Sequence, residues 1–317
     1  MSRVTIRPLR DTDLDEADRI FRLAFGTYVG LPDPMEFAGE ADYVRTRFAT
    51  APEAAIAAEL DGELVGSNFA LRRGSLAYFG PLTVRPELQN QGIAQQLLAA
   101  TMDVFARWGV EHAGLFTFPH SAKHVALYQK FGFWPGHLMA IMAAPVTHEA
   151  VHGAPLAGTA LLSELAAPEQ EAALAGCCAI ADALLPGLDP SDEIAAIARL
   201  GLGDTVLVLD GDDVQAFAFC HCGPGTEAGA DACFAKHAMV RPGAGEATLG
   251  RLLDGCAALA ARRSLGTLTA GVSTANRAAY RHLIGRGFRT QLHGVEMHRP
   301  EGPAYHVPEA LVLDDWR

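Results

Sequence analysis

The sequence holds no apolar run of the roughly 18–20 residues that a membrane-crossing helix needs, no run of lysine and arginine, and no cysteine pair at CxxC spacing. The first absence makes a membrane an unexpected partner. The second argues against nucleic acid, whose binders carry a basic patch. Here 25 basic residues stand against 37 acidic ones, a net charge of −12. That balance suits a cationic or amine-bearing small molecule, through long-range steering alone. The third absence removes the common zinc and redox motifs. All six cysteines (177, 178, 220, 222, 233 and 256) lie in the second half. Cys220-His221-Cys222 could clip a metal, but alternate strand residues share a face, so both thiols are expected to pack inward. No metal is expected. The opening Met1-Ser2-Arg3-Val4-Thr5-Ile6-Arg7 is too polar for a secretory leader, which sets a cytoplasmic location as the expectation.

What is present is enough apolar residue for two cores. The chain has 317 residues, 50% hydrophobic and 20% charged, and about 150 residues is an ordinary domain. Such a composition can offset its ordering entropy by burial, which excludes disorder as the main state.

A repeat organises the chain. Val84-Arg85-Pro86 recurs as Val240-Arg241-Pro242 at an offset of 156, while Leu97-Leu98 and Gly132-Phe133 recur as Leu252-Leu253 and Gly287-Phe288 at 155. The order of landmarks and the periodicity between them also match, so a duplication is inferred. Units 1–146 and 158–317 are expected, joined by a Pro-, Gly-, His- and Ala-rich linker at 147–157.

Each unit reads as strand, two helices, hairpin, strand, helix, strand, helix and closing strand. In the first, residues 3–9 alternate as a strand, and Asp11 and Asp13 head a helix carrying Leu14, Ala17, Ile20, Phe21 and Phe25 at helical spacing. A second helix is predicted over 36–48, strands over 54–60 and 64–71 around Asp61-Gly62, and one long strand over 76–84. A helix over 94–108, a strand over 114–118, a helix over 122–131 and final strands over 133–145 follow. The second unit opens with a strand at 159–165 and closes its sheet with 288–298; the tail after Arg299 is expected on the surface, packed across the halves.

The segment with chemistry follows Leu82-Thr83-Val84. Gln89-Asn90-Gln91-Gly92-Ile93-Ala94 leads straight into a helix. A helix start has unpaired N–H groups and a positive dipole end, and a glycine there lets an anion approach the backbone. Strand, glycine-bearing turn and helix therefore make a phosphate-binding arrangement, although an ordinary strand-to-helix turn has the same outline. The spacing fits neither the dinucleotide fingerprint nor the P-loop.

Gln89-x-x-Gly92-x-Ala94 resembles the Q/R-x-x-G-x-G/A signature of the GNAT acetyltransferase superfamily. Downstream, Ser121-Ala-Lys-His-Val-Ala-Leu127-Tyr128-Gln-Lys-Phe-Gly132-Phe133 resembles that family's second motif, N-x-x-A-x-x-L-Y-x-x-x-G-F, with Ser121 for the asparagine and His124 for the alanine. The resemblance implies an α+β (mixed α/β) fold of two tandem units, each a mostly antiparallel, splayed sheet flanked by helices. It implies acetyl-coenzyme A as cosubstrate. Amides of Gln89, Asn90, Gln91, Gly92, Ile93 and Ala94 would hold its pyrophosphate, Leu82, Thr83 and Val84 would bond its pantetheine arm, and Ser121 would either meet that arm or cap its helix. The implied activity is transfer of acetyl to a primary amine, a small molecule being the expected acceptor; a non-catalytic module sensing acyl-coenzyme A is the alternative. Monomer and homodimer both fit.

Within that resemblance Tyr128 is the general acid for the departing thiolate, set against a role as a buried aromatic of an amphipathic helix. The base stays open among Asp33, Glu36, Glu40, His120, His124 and a water chain. The second unit has lost the pattern. Its loop, Arg241-Pro-Gly243-Ala-Gly245-Glu246-Ala247, is one residue shorter and places a carboxylate where phosphate would sit. Asn276 stands opposite Ser121, but Leu283 replaces Tyr128, and Tyr280 sits a turn early. The second unit is expected to serve as scaffold or to shape the acceptor pocket.

Overall fold

The computed structural model describes residues 4–146 and 158–317. The segment read as a linker, 147–157, lies outside the described residues. In chain order the first half runs β1 (Thr5–Pro8), α1 (Leu14–Val29), α2 (Tyr43–Thr50), β2 (Ala55–Leu60), β3 (Glu63–Arg73), β4 (Leu76–Phe79), β5 (Thr83–Val84), α3 (Ile93–Trp108), β6 (His112–Thr117), α4 (Ala122–Gln129) and β7 (Trp134–Pro145). The second runs β8 (Thr159–Leu161), α5 (Ala167–Leu184), α6 (Ser191–Leu200), β9 (Gly203–Asp210), β10 (Asp213–Cys222), β11 (Ala232–Val240), α7 (Glu246–Arg262), β12 (Thr267–Ser273), α8 (Arg277–Gly285), β13 (Arg289–Arg299) and β14 (Val312–Leu313). The fold is mixed α/β, and most of its strand pairs are antiparallel.

Amphipathic helices cover the sheet. Leu97, Leu98 and Phe105 of α3 pack with Ile56, Val65 and Leu115; Leu249, Leu252, Leu253 and Leu259 of α7 pack with Val206, Val208 and Val240. The repeat is visible in the strand register. In the first half, β4 and β6 run parallel with Leu76 opposite His112, Ala77 opposite Ala113 and Tyr78 opposite Gly114. In the second, β11 and β12 pair Ala232 with Thr267, Cys233 with Leu268 and Phe234 with Thr269, which are the same pairs shifted by 156 and 155 residues.

The halves do not close their sheets separately. Twelve of the described strands form one path, β1-β2-β3-β4-β6-β13-β7-β12-β11-β10-β9-β8, while β5 pairs with β3 and β14 with β11 beside it. The last strand of the first half, β7, pairs with β12 of the second; β13, from the second half, pairs with β6 of the first. β7 and β13 pair with each other at the centre. The closing strand expected at 288–298 therefore completes the other half's sheet. Periodicity shows that a strand exists but not which edge receives it.

Four further expectations are corrected. Residues 36–48 are not one helix: Ala38 and Gly39 take positive φ (66° and 53°), and α2 begins only after Asp42, whose carboxylate accepts the Arg45 amide at 2.9 Å. The strand predicted over 76–84 is interrupted at Gly80-Pro81, where proline offers no N–H to a ladder. The strand predicted over 159–165 ends at Leu161 and turns into a short 3-10 helix, Leu162–Glu164. The tail is not a surface segment. Tyr305, His306, Leu311, Val312, Leu313 and Trp316 are buried, and Tyr305, Val312 and Trp316 share a core with Leu71 and Tyr78 of the first half. Its packing across both halves is as expected.

Buried charge crosses the same seam. Arg73 of β3 is ion-paired with Glu193 of α6 and Asp314 of the tail, and lies 3.0 Å from Nδ1 of His237. All four groups are buried. The Cys220 and Cys222 thiols pack inward against Cys256 and Cys233, as the strand argument expects.

Candidate active site

Past Tyr78 and Gly114 the parallel pair β4/β6 has no further partners in common: β5 turns to β3, with Thr83 opposite Ser67, while β6 continues beside β13. The two strands part, and the gap opens a cavity of about 1030 Å³. Phe79, Gly80, Pro81, Leu82, Thr83 and Val84 line one wall, and Phe116, Thr117 and Phe118 line the other.

The glycine-bearing turn forms one end of it. Asn90 (φ 64°) and Gly92 (φ 79°) both take left-handed conformations, and Gly92 caps α3. A side chain at Gly92 would be strained by this φ, although no atom lies within 4 Å of where its Cβ would stand. The first bond of the helix ladder runs from the Gln96 amide to the Gly92 carbonyl at 3.2 Å, so the amides of Ile93, Ala94 and Gln95 precede the ladder. Gln89, Asn90, Gly92, Ile93 and Ala94 line the cavity; Gln91 is exposed and is not among its lining residues. Lys123 Nζ donates to Gln89 Oε1 at 3.2 Å, which holds a cation beside the turn.

Tyr128 projects from α4 into the same cavity and is 8% exposed. Burial pushes its phenol well above the ordinary tyrosine value, and a hydrogen bond with Thr117 opposes this only in part. The group therefore stays protonated at neutral pH and has a proton to give. Ser121 stands at the N-cap of α4 without a side-chain cap bond, and it lines the cavity. His124, one turn before Tyr128, also lines it; burial, then Lys123 and His120, lower its pKa, which favours the neutral imidazole. The other base candidates lie elsewhere. Asp33 caps the Met35 amide at 2.9 Å, and His120 Nε2 bonds the Tyr28 hydroxyl at 3.1 Å; neither these two nor Glu36 and Glu40 line the cavity.

The far end is aromatic, lined by Phe21, Phe25, Tyr28, Phe37, Tyr43 and Trp316. The Phe25 and Phe37 rings stack at 5.3 Å. Glu227, Leu292, Trp316 and Arg317 come from the second half. Glu227 is held by Arg47 at 3.1 Å and Lys236 at 2.7 Å, and these cations keep its carboxyl well below the usual range despite burial. It is the only carboxylate among the described lining residues, so the net charge of −12 is not gathered in the cavity. These second-half contributors were missed in the sequence. Glu227 is 180 residues from Arg47, and no local pattern brings them together.

The equivalent place in the second half is filled. β11 and β12 also part, after Ala235 and Ala270, but β14 enters and pairs with β11, Ala238 opposite Leu313 and Met239 opposite Val312. By the repeat, Ala238 and Met239 correspond to Leu82 and Thr83. The Asn276 amide, opposite Ser121 in the repeat, donates to the carbonyls of Tyr305, Val307 and Ala310 of the same tail. Leu283 is buried, and Tyr280 packs on the second-half core.

Residues 17–133 match the model of the Acetyltransferase (GNAT) family. A provisionally assigned acetyltransferase from Pyrococcus horikoshii is 15% identical, with a TM-score of 0.68 over 99% of this chain and 95% of that one. A GCN5-related N-acetyltransferase from Sphaerobacter thermophilus is 14% identical, with a TM-score of 0.57 over 93% and 95%. At these identities the likeness is one of fold, and it extends through both halves. No curated protein matches the chain significantly.

Proposed function

We propose that this chain is an acyltransferase of the GNAT family that moves an acetyl group from acetyl-coenzyme A to a primary amine borne on an apolar or aromatic body. The reaction sits in the first of two tandem units, 1–146 and 158–317. Three features of one cavity support the reading: a parted strand edge at Leu82–Thr83, an open helix start at Gly92–Gln95, and a protonated phenol at Tyr128.

The amides after Gly92 would hold the pyrophosphate, with Lys123 adding charge. The pantetheine arm would lie along Leu82–Val84 and reach Ser121. An N–H of the parted strand, that of Leu82, would face the thioester carbonyl and stabilise the oxyanion. The amine enters from the aromatic end as its neutral form and attacks the carbonyl carbon. His124 takes its proton, the C–S bond breaks, and Tyr128 gives the thiolate a proton. Aromatic faces favour an apolar acceptor body and any cationic form waiting in the cavity.

A thiol-release assay with acetyl-coenzyme A tests this. Arylalkyl and long alkyl amines should turn over faster than amino sugars or short polyamines. Coenzyme A binding without thiol release across such a panel would instead make the protein an acyl-coenzyme A sensor.

A further inference from the structure

Behind Trp316 lies a group of buried side chains that the acyl-transfer reading does not use. Glu296 and His298 stand two residues apart on β13, and His306 comes from the tail; the exposures are 1%, 3% and 1%. One potential ligand atom from each lies within 4.8 Å of the others. His298 Nε2 is 3.3 Å from Glu296 Oε1, and His306 Nδ1 is 2.7 Å from Glu296 Oε2. None of these approaches is an aligned hydrogen bond for Glu296 Oε2, His298 Nε2 or His306 Nδ1, and His306 Nε2 is likewise unpartnered. Buried polar atoms with no hydrogen bond beyond such ion-pair contacts are costly in a dry site.

We propose that Glu296, His298 and His306 bind a divalent zinc-class cation that fastens the tail to the exchanged strand. Two imidazoles and one carboxylate are a borderline donor set suited to Zn²⁺. Ligand atoms about 2.0–2.1 Å from a tetrahedral zinc stand roughly 3.3–3.4 Å apart; the His298–Glu296 spacing has this value, and the His306–Glu296 contact of 2.7 Å would widen to admit the ion. His298 Nδ1 lies 3.0 Å from His112 Nε2. With the proton on His298 Nδ1 and His112 Nε2 accepting it, His298 Nε2 is free as a ligand, the outer-partner arrangement common to metal-bound imidazoles.

The strand register makes room for the Glu296 carboxylate, whose Oε1 also accepts the His137 amide at 3.0 Å. Between the pairs Val295–Leu138 and Met297–Pro135 the register shifts, so Gly136 and His137 together face Glu296. A Cβ on Gly136 would stand 2.9 Å from Glu296 Oε1 and 3.1 Å from His298 Cδ2. His137 Nδ1 is 3.4 Å from Glu296 Oε1, and its side chain is 60% exposed. It can supply the fourth ligand and marks the route of entry from solvent. The Trp316 ring packs on His306 at 4.6 Å and on His298 at 5.0 Å, while also lining the main cavity. The ion would thus fix one wall of the acceptor end.

The test uses the full chain, stripped with a chelator, dialysed against a slight excess of Zn²⁺ and assayed for metal. About one tightly held zinc per chain is expected. Glu296→Gln and His306→Ala should abolish it, and His112→Phe should weaken it about 10–100-fold. Should these variants misfold by circular dichroism, Co²⁺-loaded wild type decides: visible bands of a four-coordinate nitrogen and oxygen site are expected. Wild type that emerges metal-free, Co²⁺ that stays six-coordinate, or zinc lost on His120→Ala but kept in Glu296→Gln would overturn the proposal.

Discussion

The two halves share a strand register but differ in what fills the gap between their parted strands. In the first half the gap beyond Tyr78 and Gly114 is a cavity lined by Leu82 and Thr83. In the second, the corresponding edge at Ala238 and Met239 is bonded to the chain's own β14. A parted edge is a row of unpaired backbone groups, and it must be satisfied by something. In the second half the chain's own tail does this. In the proposed reading the first half leaves its edge to the cosubstrate, so that the two halves act as one site and one clamp. The tail that closes the second groove also carries Trp316 and Arg317 into the first cavity.

The largest effect is expected at the phenol. Tyr128→Phe should lower kcat by about 10²–10⁴ while leaving coenzyme A affinity unchanged. Leu283→Tyr, which restores a phenol to the second copy, should restore no activity in that background. Equal kcat in wild type and Tyr128→Phe would remove the phenol from the chemistry.

Next is the clamp. Arg73→Met leaves Asp314 buried without its guanidinium and Glu193 with Lys236 alone, 3.6 Å away, which should cost about 3–5 kcal/mol of stability in urea unfolding. A change under 1 kcal/mol would mean that the seam is held by apolar packing alone.

Gly92→Val and Gly245→Val form a matched pair, because both glycines take φ of 79° at a helix start. The first should weaken coenzyme A binding by about tenfold or more, and the second should leave it alone. Similar losses in both variants would erase the distinction between the copies.

The smallest expected effect is in pH. Burial lowers the His124 pKa, so the neutral imidazole persists below the ordinary value of about 6.5, and kcat should hold to a lower pH than a free histidine allows. Burial raises Tyr128, so the alkaline fall should begin above the ordinary tyrosine value of about 10. An acid limb unchanged in His124→Gln would exclude it as base.

Much of this was legible in the sequence because it is local. Gly92 ahead of Ile93 and Leu97 marks a turn entering an amphipathic helix, and the recurrence of Val-Arg-Pro and Gly-Phe marks the repeat. Other features are set by distant partners. Nothing within 134–145 or 289–299 says that these strands trade sheets, because an apolar strand fits either edge. The tail looks like surface because Pro300, Pro303 and Pro308 punctuate it; its burial depends on a groove built some 70 residues earlier. Glu227 looks like one acid among many until Arg47 and Lys236 enclose it.

Calorimetric titration with coenzyme A tests the central asymmetry most directly. The account predicts one molecule bound per chain, with heat lost in Gly92→Val and kept in Gly245→Val. Two molecules per chain, or binding that depends on Gly245 and not on Gly92, would contradict it.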